Sequence, residues 1–137
     1  MEKRRSFCPL NLIVELIGDK WSLLILRDIM FENKRHFRQL LQSEEKIASN
    51  ILTDRLNTME REGLLTKHPD PEHKQKVIYS LTEKSMDLMP LLIEAIRWSV
   101  KYEPVDKVKY KPGVDLANSS KEEQELLAKS IRKINGI

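Results

Sequence analysis

Residues 35–65 read RHFRQLLQSEEKIASNILTDRLNTMEREGLL, and this stretch decides the fold. Phe37, Leu40 and Leu41 stand at the spacing of one face of a short helix, and the polar run Gln42 to Lys46 then interrupts the pattern, which predicts a turn. From Ile47 a second periodic run begins. Leu52, Leu56 and Met59 share one face, while Ser49, Asn50, Thr53, Asp54 and Asn57 share another that is short, polar and nearly uncharged. Gly63 suits a left-handed cap at the helix end, and Leu64 and Leu65 lead the chain back to the core. Two short helices with a tight connection are the signature of a helix-turn-helix, whose second helix offers small hydrogen-bonding side chains to something outside the domain.

Upstream, Pro9 sits where a first helical residue tolerates proline, and Leu10, Ile13, Val14 and Ile17 mark one face of a short helix ended by Gly18. Asp19 is the expected cap of a second helix, Lys20 to Met30. Its apolar residues surround most of the circumference and predict the buried centre of the domain. Downstream, residues 64–68 and 76–81 alternate as strands around a tip at residues 69–75, a hairpin placed as the wing of a winged helix. Thr82 is the expected cap of a long helix reaching about Tyr102, bent at Pro90. That helix carries one stripe through Met86, Met89, Ile93, Ile96 and Val100 and another through Leu88, Leu92, Ala95 and Tyr102. The second stripe is either a partner surface or further core. Residues 103–118 read as a linker, and Ser119 or Ser120 opens a final helix with Leu127, Ile131 and Ile134 on one face. The expected organisation is therefore a winged helix-turn-helix over residues 1–103, with dimerisation helices at both ends. Residues 104–137 then supply a linker and a helix packed on the domain or the dimer. The fold class is mainly α with a small antiparallel β-hairpin.

At 137 residues, with 40% hydrophobic and 33% charged residues, the chain is long enough for one packed domain and too apolar for disorder. The basic N-terminus leads to no signal-peptide apolar stretch, and no apolar run is long enough to span a bilayer, so a cytoplasmic protein without membrane contact is expected. One cysteine, Cys8, excludes an internal disulfide framework, and three scattered histidines supply no metal-ligand spacing; no metal or cofactor is expected. A net charge of +3 permits a nucleic-acid partner without requiring one.

On the polar face, Asn50 or Asn57 can make paired hydrogen bonds to adenine, Ser49 and Thr53 can contact bases or phosphate, and Asp54 can accept from cytosine. Arg35, Arg38 and Lys46 around the turn, and Lys67, Lys74 and Lys76 in the wing, are candidate phosphate contacts. Arg55 flanks the buried stripe and either reaches a phosphate or pairs with an acid. Asp70 and Glu72 at the wing tip would repel a phosphate track unless the tip projects away. The acid pairs Glu44-Glu45 and Glu122-Glu123 read as solvated helix ends. An enzyme finds no support: His36, His68 and His73 have no nucleophile or carboxylate at a defining spacing, and there is no glycine-rich phosphate loop. The rival from another class is a winged helix that binds protein through its long helix and has lost DNA binding.

The chain resembles the HxlR-type family of bacterial transcriptional regulators, related in architecture to the MarR regulators. The resemblance rests on Cys8-Pro9, residues 17–27 (IGDKWSLLILR), Phe37, residues 52–56 (LTDRL), Glu62-Gly63-Leu64 and residues 79–83 (YSLTE). It implies a homodimer that binds a pseudo-palindromic operator in double-stranded DNA. Ala48, Ser49 and Asn50 stand where many relatives carry Ser-Pro-Lys, so the base-reading chemistry is this chain's own. Cys8 precedes the first helix near Lys3, Arg4 and Arg5, which favours a thiolate, and some members of the family sense oxidants or electrophiles through a cysteine at this position. An oxidant or small-molecule effector is the functional reading of Cys8; a small residue packed at a helix start is the structural one.

Overall fold

The computed structural model describes residues 3–137. Pro9 fills the first position of α1 (Pro9–Ile17), where a missing N–H leaves nothing unsatisfied, and Gly18 ends the helix with its N–H on the Val14 carbonyl at 2.8 Å. Asp19 accepts hydrogen bonds from the N–H groups of Trp21 and Ser22 at 3.0 and 3.1 Å, and α2 (Ser22–Met30) starts at Ser22, later than the expected Lys20. Ile25, Leu26, Ile29 and Met30 of α2 are buried at the centre of the core. So is Asp28, which pairs with Arg27 at 2.8 Å and with Lys34 at 3.8 Å.

The helix-turn-helix consists of α3 (Phe37–Leu41) and α4 (Ser49–Arg61). Gly63, at φ +78°, closes α4: its N–H meets the Glu60 carbonyl at 3.1 Å and the Leu64 N–H meets the Met59 carbonyl at 2.8 Å. The wing follows as antiparallel β1 (Leu65–Pro69) and β2 (Val77–Leu81), with Leu65 opposite Leu81 and Lys67 opposite Tyr79. Pro69 extends β1 beyond the expected end, and a two-stranded ribbon tolerates it there because the missing N–H falls at a strand end.

The expected long helix is two. Thr82 and Ser85 form a reciprocal capping box for α5 (Glu83–Met86), and α6 (Met89–Tyr102) starts afresh after Asp87-Leu88. Pro90 lies in the first turn of α6, where its ring is harmless; inside a continuous helix it would have removed a hydrogen bond and clashed with the preceding turn. The expected linker also contains structure, since α7 (Lys111–Ala117) packs along α6 and its Ala117 carbonyl accepts from Arg97 Nε at 3.0 Å. The last helix, α8 (Lys121–Ile134), opens with the anticipated Ser120 capping box, closed by Glu123. It docks on its own chain: Ile131 is buried, and Asn135 Oδ1 accepts from the Leu81 N–H at 2.9 Å. Among the described residues no helix is long and apolar enough to cross a membrane. The architecture is a winged helix-turn-helix with two added C-terminal helices.

Candidate nucleic-acid interface

Burial of one face of α4 determines what the other presents. Leu52, Leu56 and Met59 are at most 1% exposed and lock the helix on the core, each contributing roughly 1.5–3 kcal/mol by burial. Ser49, Asn50, Thr53, Asp54 and Asn57 consequently face solvent together. The Thr53 hydroxyl donates to the Ser49 carbonyl at 2.9 Å, which holds it in one orientation. The N-cap position is Ala48, which supplies no side-chain acceptor, so the first N–H groups of α4 remain open to an anion. Lys46 precedes them in the left-handed conformation, at φ +60°, with its side chain exposed.

The basic residues fall into two groups that look alike in sequence. Arg38, Lys46, Lys67, Lys74 and Lys76 are exposed and have no ion-pair partner among the described residues. Arg35, a candidate phosphate contact, is instead engaged within the protein, and Arg55 takes the acid-pairing reading of its two. The Arg35 guanidinium donates to the carbonyls of Tyr79 at 2.8 Å and Ile134 at 3.0 Å and to the Ser80 hydroxyl, clamping the wing to the end of α8, and its burial lowers its pKa. Arg55 lies 3.1 Å from Asp54 and 3.5 Å from Asp19, so its charge is largely spent on acids of its own domain.

The wing tip differs from expectation in the same way. Asp70 is turned inward, 6% exposed, and makes a 2.8 Å hydrogen bond with His36 Nε2 while accepting from the Glu72 N–H at 2.9 Å. That N–H first, and His36 second, hold the Asp70 pKa below the usual carboxylate value. The pair ties the start of α3 to the wing tip across 34 residues of sequence, a separation at which no pattern in the chain announces it.

Two acids of the turn between α3 and α4 are likewise paired rather than solvated. Glu45 meets Arg27 through two hydrogen bonds of 2.8 Å, which push its pKa down to about 2 and raise that of Arg27. Glu44 accepts from Lys109 Nζ at 2.6 Å and from the Tyr110 hydroxyl at 2.7 Å, and both lower its pKa. The turn is thus held from α2 on one side and from the segment leading into α7 on the other.

A second outward surface is apolar. Of the stripe read as partner surface or core, Leu92 belongs to the core at 5% exposure and Leu88 is half-buried, while Ala95 and Tyr102 are exposed. Leu91 and Trp98, which the sequence reading missed, complete the stripe Leu91, Ala95, Trp98 and Tyr102, and the rings of Trp98 and Tyr102 lie 5.3 Å apart. The signal was present in their spacing of 4, 3 and 4 residues, but Leu91 and Leu92 are adjacent leucines and local pattern does not say which of them faces out. Phe7, Leu10 and Val14 at the start of the chain are exposed too, so the face of α1 that carries Leu10, Ile13, Val14 and Ile17 is split between core and surface. Cys8 is exposed at the N-cap of α1, where the N–H groups of Asn11 and Leu10 lower its thiol pKa. Among the described residues there is no cluster of three or more His, Cys, Asp or Glu able to hold a metal ion.

Comparison with known proteins places this geometry. An uncharacterized HTH-type transcriptional regulator of Synechocystis sp. is 36% identical over 86 residues, a match spanning 63% of this chain and 63% of that relative. The chain therefore covers somewhat under two thirds of that relative's length. The crystal structure of PA1607, assigned as a transcription factor, superposes with a TM-score of 0.68 at 32% identity, over 75% of this chain and 70% of that one. The redox regulator HypR in its oxidized form gives 0.63 at 27% identity, over 72% of this chain and all 100% of that one. Residues 16–107 match the model of the HxlR-like helix-turn-helix family, and with the helix-turn-helix, wing and flanking helices in place the chain belongs to that family of transcriptional regulators.

Proposed function

We propose that the protein is a homodimeric operator-binding regulator, with α4 in the major groove and the wing along the phosphate backbone. The observation that carries this reading is the outward face of α4, a patch of small hydrogen-bonding side chains flanked by Arg38, Lys46, Lys67, Lys74 and Lys76, whose charges no acid of the described residues neutralises. Asn50, Asn57 and Thr53 read base edges, Ser49 and the open N-terminus of α4 hold phosphate, and the five basic side chains position the duplex. The aromatic stripe of α6, with the exposed apolar residues of α1, supplies the dimer contact. A two-fold dimer sets two recognition helices about 34–36 Å apart and reads a pseudo-palindrome. Residues up to about 103 form the DNA-binding and dimerising unit, and the C-terminal helices brace it.

Sequencing the DNA fragments retained by the purified protein tests this directly. A shared palindromic motif, bound with an affinity that falls steeply with salt, is the expected result. Recovery of random fragments, or salt-independent binding to protein surfaces through α6, would support the protein-interaction alternative instead.

A second reading concerns the signal. The exposed thiol at a helix N-cap, and the likeness to a regulator described by its reduced and oxidized forms, support redox or electrophile sensing at Cys8. With one cysteine per chain, the thiolate acts by a disulfide across the dimer, a mixed disulfide with a small thiol, or an adduct. The first route needs the two Cys8 Cα atoms within about 7 Å. Operator affinity measured after mild oxidant or a quinone should change in the wild type and stay constant in Cys8→Ser; equal responses in both would leave Cys8 a structural residue.

A further inference from the structure

A cavity of about 290 Å³ lies between α2, α6 and α7, walled by Leu23, Leu24, Leu92, Ile96, Val100 and Val114. It lies just below the range of about 300–1,000 Å³ typical of small-molecule sites, which are mostly apolar with a few polar groups at the edge. Ser99, Tyr110 and Arg27 are the polar groups here. Arg27 has no charge to spare, because Asp28 and Glu45 each approach its guanidinium at 2.8 Å. A carboxylate or phosphate would have to displace one of them. The space opens to solvent on one side, and its apolar walls offer water few hydrogen bonds.

The roof of the cavity keeps the space open. A β-carbon at Gly113 would meet only the Ile96 side chain, at 4.0 Å, so glycine there avoids no clash and leaves room above Ile96, although glycine weakens a helix. Two groups at the edge lead directly to the turn before α4. The Tyr110 hydroxyl donates to Glu44 at 2.7 Å, while Arg27 holds Glu45 and reaches the Ser43 hydroxyl at 3.2 Å. Tyr110, Gly113 and Val114 lie beyond residue 107, where the match to the family model ends.

We propose that the cavity is an effector site for a neutral, largely apolar small molecule, and that its occupancy reaches the turn at residues 42–48 through Tyr110–Glu44 and Arg27–Glu45. The consequence for regulation rests on α4 binding DNA, as proposed above; the test does not. The neutral, apolar fluorophore N-phenyl-1-naphthylamine serves as probe for the full chain. It should bind wild type saturably at about one per chain, and roughly ten-fold or more weakly to Gly113→Leu. That variant should melt at or above the wild-type temperature, because leucine is the better helix former. Amide exchange at residues 42–48 should change by roughly two-fold or more with saturating probe in wild type and by clearly less in Tyr110→Phe, where only the Arg27–Glu45 route remains. Undiminished binding to Gly113→Leu, or exchange at 42–48 unmoved by the probe, overturns the proposal. Binding that appears only on dilution below the self-association range assigns the cavity to a second copy of the chain and overturns it as well. No arm contains DNA, so failure here is distinguishable from failure of DNA binding.

Discussion

Helices α4 and α6 are nearly equal in length, 13 and 14 residues, and each buries one apolar stripe against the same core. Their outward faces differ in kind. That of α4 is Ser49, Asn50, Thr53, Asp54 and Asn57, and that of α6 is Leu91, Ala95, Trp98 and Tyr102. Small hydrogen-bonding groups on a rigid helix lose little by leaving water if the partner also presents fixed donors and acceptors, as a base edge does. Exposed aromatic rings gain only from another apolar surface. In the proposed function the two helices thus serve different partners on two sides of one small core, and substitutions can separate the roles.

The largest expected effect comes from the inner side of α6. Leu92→Asp places a charge in the core and should cost about 3–5 kcal/mol or abolish folding, whereas Trp98→Asp, further along the same helix and exposed, should keep the melting temperature and abolish the proposed self-association. Denaturation and sedimentation of both variants check this; two equally unfolded proteins would break the comparison. On α4, Asn50→Ala should leave stability within about 0.5 kcal/mol and weaken cognate DNA binding by about 1–3 kcal/mol, with relaxed preference at one position of the site. Binding and selection assays that return wild-type affinity and motif would remove α4 from the major groove.

Around that helix the effects become smaller and less sequence-dependent. Lys76→Ala should weaken binding to all sequences alike and reduce the slope of log affinity against log salt by about 1, while Arg35→Ala should instead lower the stability of the fold, since its guanidinium serves the wing and α8. The smallest expected effect is at the turn that joins the two sides. Glu45 has its pKa depressed to about 2 by Arg27, so its contribution is present above the unfolded carboxylate pKa and is lost as pH falls from about 4.5 to about 2. Because Glu45 is about one third exposed, screening reduces that contribution to about 1 kcal/mol. Denaturant unfolding of wild type and Glu45→Gln should show that gap at pH 7 and its closure toward pH 2.

The parts legible in the chain were those whose determinants are local. Gly63 announces its left-handed cap, Ser120 and Glu123 their capping box, and the 3.6-residue period of Leu52, Leu56 and Met59 its buried face. Errors arose where two readings share one local pattern. Proline bends a helix or starts one, and Pro90 starts α6; the low-periodicity stretch Glu103 to Asn118 reads as linker and holds α7. Leu92 and Trp98 are both apolar and six residues apart, and only packing says which of them points inward.

By itself, then, the sequence determined the order of elements, the helix-turn-helix with its wing, and the polar outer face of α4, because periodicity, caps and turns act over a few residues. Tertiary structure alone decided which charges remain free. Arg38 and Arg35 are three residues apart, yet one is exposed without an ion-pair partner among the described residues and the other donates to Tyr79 and Ile134, 44 and 99 residues away. The same holds for Asp70 at His36, for Glu44 at Tyr110 and for the cavity beneath α7. An ion pair or a cavity wall is made by groups that the fold brings together, and a charge carries no mark in the chain of the partner that will neutralise it.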